Sequence, residues 1–146
     1  MSFVVDGSNV LGHLSGARES VEAKRALVRS LGDLARGRRT RVYCFFDGMA
    51  PDGFARSLGA VTVTFSGSRP ADDAILDLVR SRAGDSWVVV TSDAGLASRA
   101  AGRKVRILRA EQLRTLMLET VSSTEIATGV DEWSEFFSDP KNRHEF

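Results

Sequence analysis

Three stretches of this chain are apolar at consecutive positions and not at alternating ones: Phe3, Val4 and Val5; Val42, Tyr43, Cys44, Phe45 and Phe46; and Trp87, Val88, Val89 and Val90. Successive side chains of a strand point to opposite faces, so such runs suit strands covered on both sides. They predict the centre of a parallel sheet flanked by helices. Residues 60–65 alternate instead, with Val61, Val63 and Phe65 apolar and Thr62 and Thr64 polar, which predicts a strand with one less buried face, nearer a sheet edge. Residues 105–108 predict a short fifth strand.

Between the strands the apolar period changes from two to that of a helix. Leu27, Val28, Leu31, Leu34 and Ala35 mark the buried stripe of a helix over about 19–35. Ala71, Ala74, Ile75, Leu78 and Val79 mark another, opened by Pro70. Shorter helices are expected over 94–101 and 111–120, the last with Leu113, Leu116 and Met117 inward. Residues 11–20, with their Gly and Ser content, read as a loop. Strands alternating with helices imply a three-layer α/β sandwich.

A chain of 146 residues, 42% hydrophobic, suffices for one domain with a real core. The expected division is a folded domain over 1–120 and an acidic C-terminal tail over 121–146. There is no signal-peptide pattern and no apolar run of membrane-spanning length, so a soluble, cytoplasmic protein without membrane association is expected. The single cysteine, Cys44, lies in an apolar run, which leaves no disulfide framework and no thiolate zinc site. The net charge of +1 conceals a division: Met1 to Leu118 carry 18 Lys/Arg against 12 Asp/Glu, and the remainder 2 against 7. The basic body is compatible with a polyanionic partner.

The chemistry lies where the apolar runs end. The first empties into Asp6-Gly7-Ser8-Asn9, the second into Asp47-Gly48, the fourth strand into Ser92-Asp93, and the helix after Pro70 begins with Asp72 and Asp73. Each has a local explanation: turn formation for the first two, helix N-capping for Asp93, and the helix dipole for the acidic pair. If the strands are parallel, however, all of them gather at one edge of the sheet, where α/β folds bind ligands. Clustered carboxylates without thiolates or imidazoles suit Mg2+ or Mn2+.

In this order and on these elements, Asp6-Gly7-Ser8-Asn9-Val10, Phe46-Asp47-Gly48, Ala71-Asp72-Asp73-Ala74-Ile75 and Thr91-Ser92-Asp93 resemble the NYN branch of the PIN-like nucleases, and in particular the YacP-like proteins. The resemblance implies a PIN-like fold with a mainly parallel five-stranded sheet in the order 3-2-1-4-5. It also implies metal-dependent endoribonuclease activity, in some members linked to translation and so to the ribosome. Asp6, Asp72, Asp73 and Asp93 carry over as the catalytic and metal-holding acids. Many PIN-like sites have a further acid within a turn of the one matching Asp93, whereas Ala94, Gly95, Leu96 and Ala97 supply none here. One tightly held ion, with a second recruited along with substrate phosphate, is the expected arrangement.

Asn9, Asp47, Arg69 and Ser92 are expected as polar neighbours of an RNA substrate. Arg38, Arg39 and Arg41, which follow the first long helix, are expected to contact phosphate. His13 and His144 are the only histidines, which argues against a two-histidine acid/base nuclease. A phosphatase using an aspartyl phosphate would want a second acid two residues after Asp6, and position 8 is serine. A non-catalytic RNA-binding or scaffolding domain of the same fold is the other alternative. In the tail, Val130, Trp133, Phe136 and Phe137 share one helical face, which predicts a short amphipathic helix that packs on its own domain or serves as a partner or homo-oligomer contact.

Overall fold

The computed structural model describes residues 1–15 and 20–124. Eleven elements follow one another there: β1 (Ser2–Asp6), α1 (Gly7–Ser15), α2 (Val21–Arg38), β2 (Arg41–Phe46), β3 (Ser57–Leu58), β4 (Val61–Phe65), α3 (Ala71–Ser81), β5 (Trp87–Val90), α4 (Ala94–Ala100), β6 (Val105–Leu108) and α5 (Ala110–Thr124). The predicted tail helix lies outside the described residues. Among those described, no helix is long and apolar enough to cross a membrane.

The apolar runs form one sheet in the order β3-β4-β2-β1-β5-β6. The pairings β1·β2, β1·β5, β2·β4 and β5·β6 are parallel, and β3 pairs antiparallel with β4. The five longer strands thus take the expected order, and the departure is β3, a two-residue edge strand that no hydrophobic pattern announces. Its neighbour β4 alternates buried and exposed residues, as the sequence predicts for a strand near the rim.

Alternation along the central strands sorts their side chains into two cores. Phe3 and Val5 of β1 join Val42, Cys44 and Phe46 of β2 and Val88 and Val90 of β5 under α1, α2 and α5. Val4, Phe45, Trp87 and Val89 face the other way, onto Ala71, Ile75, Leu76 and Val79 of α3 and Leu96 and Ala100 of α4. With both faces covered, these strands need no polar side. The result is the three-layer architecture.

The segment read as a loop after β1 begins instead with helix α1. Val10, Leu11 and Leu14 occupy one face of it and are buried, while Gly12 and His13 are exposed. Its start lies hard against β2: a Cβ on Gly7 would stand 2.5 Å from the Phe46 ring and 2.9 Å from the Phe45 carbonyl oxygen. Only glycine permits this approach, and the approach swings the chain from β1 into α1 without an intervening loop.

Helix α2 begins at Ser20, whose hydroxyl accepts the Ala23 N–H at 3.1 Å. It runs through Gly37 to Arg38, three residues past the apolar stripe that announces it. Arg39 ends it in the left-handed conformation at φ 53°, and the Thr40 N–H reaches back to the Ala35 carbonyl at 3.0 Å.

Candidate active site

The strand order reverses direction between β1 and β5. The chain builds outward from β1 through β2 to β4, then crosses back under the sheet by α3 to β5 on the other side of β1. Such a reversal leaves a crevice at the carboxyl ends of the two diverging strands. Asp6 ends β1 there and is 6% exposed.

The carboxylate of Asp6 is held from β5. Thr91 Oγ1 donates to Asp6 Oδ2 at 3.0 Å and accepts the Asp93 N–H at 3.1 Å. One hydroxyl therefore couples the buried acid to the backbone that carries the next. Burial pushes the Asp6 carboxyl up to about 6; the Thr91 hydrogen bond opposes this, and the charges of Asp47, Asp72 and Asp93 add to it. Three further carboxylates are thus close enough for Asp6 to sense them.

Their local bonds explain how each is placed. Asp93 caps α4, its Oδ1 accepting the Gly95 N–H at 2.8 Å and the Leu96 N–H at 3.4 Å. Asp47 caps a helix that is not its own: Oδ1 accepts the Ala71 N–H at 2.8 Å, supplying α3 with the side-chain acceptor that Pro70 at its N-cap position lacks. The Asp47 N–H in turn donates to Ser8 Oγ at 3.0 Å, so α1, the end of β2 and the start of α3 are tied in series.

Asn9 and Ser92 face the same crevice as structural bridges. Asn9 Oδ1 accepts the Ser92 N–H at 2.8 Å, and Ser92 Oγ accepts the Ala110 N–H at the start of α5 at 2.9 Å. These bonds fix the turn that presents Asp93. Arg69 lies in the segment leading into α3 and pairs with Asp77 at 2.6 Å, both side chains largely exposed.

Two features of this geometry bear on the expected site. Arg38, Arg39 and Arg41 do not join the acids. They lie where α2 ends and β2 begins, at the opposite edge of the sheet, because a helix returning antiparallel to its strand delivers its carboxyl end to the strand's start. Arg38 and Arg39 there help to line a cavity of about 420 Å3 with Met1, Thr40, Arg106 and Gln112. The acids, moreover, surround one crevice without closing on one point: among the described residues no three carboxylate, imidazole or thiol groups are placed to hold a single ion together.

A side chain that the motifs do not include accounts for part of this. Arg99 of α4 sets one guanidinium nitrogen 2.6 Å from Asp72 Oδ2 and another 3.9 Å from Asp73 Oδ1. The adjacent acids that would repel one another are thereby bridged by a cation belonging to the chain. Thr91 and Arg99, like Ser8, are residues of the crevice to which sequence reasoning gives no role. Thr91 has a faint signal, a hydroxyl where an apolar run meets an acid. Arg99 has none, since it is one of several exposed arginines.

The motifs and the strand order together decide the family, and a family model for the YacP-like NYN domain matches residues 3–139. The chain belongs to this family. NYN domains are a branch of the PIN-like nuclease superfamily. The fold is similar to the crystal structure of Rae1 (YacP) from Bacillus subtilis, with a TM-score of 0.72 at 20% identity over 86% of this chain and 78% of that one. It is likewise similar to a tryptophan-to-leucine mutant of the same protein, with a TM-score of 0.71 at 21% identity over 86% and 79% of the two chains. No curated protein matches the sequence. At such identities the structural likeness speaks for the fold of this YacP-like NYN chain and not for its chemistry.

The donor set in that crevice fits a hard divalent cation. Its side chains offer carboxylate oxygen without sulfur or imidazole, and the buried Asp6 carries a charge that its surroundings disfavour and a cation would relieve. What stands against a closed coordination shell is the engagement of Asp72 with Arg99.

Proposed function

We propose that this YacP-like NYN chain is a divalent-metal-dependent endoribonuclease that hydrolyses phosphodiester bonds of RNA. The observation that carries the reading is Asp6: a buried carboxylate at the reversal point of the sheet, its pKa pushed up to about 6, with three more aspartates within electrostatic reach. Strongly perturbed acids cluster at working sites, where burial and neighbouring charge are arranged to shift them. Membership of a nuclease superfamily supports the same conclusion.

Asp6, Asp72, Asp73 and Asp93 would hold Mg2+ or Mn2+, which when bound supplies charge neutralisation at phosphate and a water of lowered pKa for in-line attack. Thr91 keeps Asp6 oriented while leaving its other oxygen available. Asn9 and Ser92 hold the turn that presents Asp93, and Asp47 sets the start of α3 and with it the acidic pair. Arg69, just before that pair, would meet the RNA backbone at the crevice, and Arg38, Arg39 and Arg41 would meet it at the opposite edge of the sheet. A role in translation or at the ribosome, a cytoplasmic location and self-association through residues 121–146 belong to this proposal as corollaries.

One observation favours the alternative of a non-catalytic RNA-binding or scaffolding domain: the Asp72–Arg99 ion pair already satisfies a carboxylate that a metal would need. Cleavage of single-stranded and structured RNA by the purified chain separates the two. The nuclease reading expects products with Mg2+ or Mn2+, none with chelator, and none from Asp6→Asn. Binding without cleavage under every metal condition would establish the alternative.

A further inference from the structure

We propose that the cleft between α3 and α4 is a second subsite, which takes one unpaired nucleotide of the RNA strand whose phosphate lies at the acids. The inference rests on the nuclease reading for the identity of its ligand and concerns where the strand runs once it leaves the crevice.

The cleft follows from two helices of unequal length. Both α3 and α4 begin at the carboxyl edge of the sheet and run back along it, but α3 has 11 residues and α4 only 7. Where α4 stops, the chain turns through Ala101 and Gly102 toward β6, and a cavity of about 360 Å3 is left beside the second half of α3. Leu76, Val79 and Trp87 floor it and are buried. Lys104 fixes its far end: its ammonium donates to the Gly84 carbonyl at 2.9 Å, and its own carbonyl accepts the Trp87 N–H at 2.8 Å. Cavities that take small ligands run from about 300 to 1,000 Å3, so this one holds a single base with its sugar and not a duplex.

The rim of the cavity is charged with one sign. Arg80, Arg99, Arg103 and Lys104 line it against a single acid, Asp85. The dipoles of α3 and α4 account for Arg80 and Arg99, each in the last turn of its helix. They do not account for Arg103, which comes from the turn before β6 and, like Arg80, has no ion-pair partner among the described residues. An apolar floor under a cationic rim matches a nucleotide, which carries an apolar-faced base at one end and an anion at the other. Continuity with the acids decides which nucleotide this is. Arg99 belongs to both places, since it lines the cavity and sets its guanidinium 2.6 Å from Asp72. From Asp93, which caps α4, to the end of that helix is about 10 Å. A strand with one phosphate at the acids therefore has a neighbouring nucleotide at the cavity.

Metal-free binding tests the subsite apart from cleavage. The probe is fluorescein-labelled single-stranded octauridylate in chelator, read by fluorescence anisotropy over a range of salt with the intact chain. Arg80→Gln combined with Arg103→Gln should weaken binding about tenfold and lower the slope of log affinity on log salt by about one. Ala83→Phe, which fills the cavity from an exposed position and alters no charge, should weaken binding about fivefold and leave the slope unchanged. This second variant separates a built site from a basic surface, because a surface that merely attracts phosphate loses nothing when the cavity is filled. Thermal melts establish that the variants remain folded. Wild-type affinity in Ala83→Phe or in the double arginine variant would overturn the inference, and persistent Mn2+-dependent cleavage by the same chains would leave the nuclease reading standing. A wild type that neither binds octauridylate nor cleaves RNA would remove both together. Binding without cleavage, lost in both variants as expected, would uphold the subsite and transfer it to the non-catalytic alternative.

Discussion

Thr91 and Asp6 are joined at 3.0 Å by a hydroxyl that donates to the buried carboxylate, although 85 residues separate them along the chain. Because the same oxygen accepts the Asp93 N–H, the bond sets the relation between the two strand ends on which the site is built. Thr91→Val keeps the shape and removes the hydroxyl. Leaving a buried carboxylate and a backbone donor without this partner should cost about 1–3 kcal/mol. Urea unfolding at pH 7 reads it directly, and an unchanged midpoint would mean that the hydroxyl contributes nothing to holding Asp6.

The raised Asp6 pKa makes a statement about stability with a definite sign. Folding favours the protonated carboxyl, so the stabilisation is complete below the unfolded value of 3.8 and is lost as pH rises through about 6. At pH 8 without metal the ionised Asp6 is a liability, on the order of 3 kcal/mol at most. Asp6→Asn should therefore make the metal-free protein more stable at pH 8, by about 1–3 kcal/mol, and this advantage should fade toward pH 4. A variant that is less stable at pH 8, or equally favoured at both pH values, contradicts the assignment. The gain in stability should accompany loss of cleavage.

Asp47 separates capping from chemistry. Its carboxylate accepts the Ala71 N–H at 2.8 Å, so Asp47→Ala should cost about 1 kcal/mol, within the usual range for lost caps. Asp47→Asn, which keeps an acceptor oxygen, should lose less stability and retain most activity. Equal and complete loss of cleavage in both variants, with the fold intact, would move Asp47 among the metal-holding acids.

Arg38, Arg39 and Arg41 sit a full strand away from the acids, about 20 Å for the six residues of β2. Replacing all three with glutamine should leave cleavage of an RNA only a few nucleotides long within about twofold, while weakening and flattening the salt dependence of binding to long RNA. Arg69→Gln should affect the short substrate more. A large loss on the short substrate from the triple variant would show that the arginines reach the crevice after all.

How much of this was legible beforehand varies with the physics of each element. The central strands were readable because burial on both faces leaves an uninterrupted apolar run, and Asp6, Asp47, Asp72, Asp73 and Asp93 were readable because each punctuates such a run or opens a helix. Helix α1 was hidden: only Val10, Leu11 and Leu14 face inward, among glycines and a serine whose local preference is for turns. Strand β3 is two exposed residues and carries no pattern. The charge of the arginines after α2 can be counted in a sequence, but the edge of the sheet to which α2 delivers them cannot be read there. Arg99 was passed over for the converse reason, since its meaning comes wholly from the helix that points it at Asp72.

The span between Asp6 and Thr91 also has a consequence for synthesis. β1 is the central strand, and β5 is the neighbour it receives last. A nascent chain that has emerged through α3 can pair β1 with β2 and β2 with β4, but it keeps one edge of its central strand open, with the acid at its tip lacking the partner hydroxyl. An open edge of that kind is prone to pairing with other chains. Only when residues 87–93 leave the ribosome are the edge covered and the last of the acids brought to the crevice, so a chain terminated before them can neither assemble the acids nor protect its own centre.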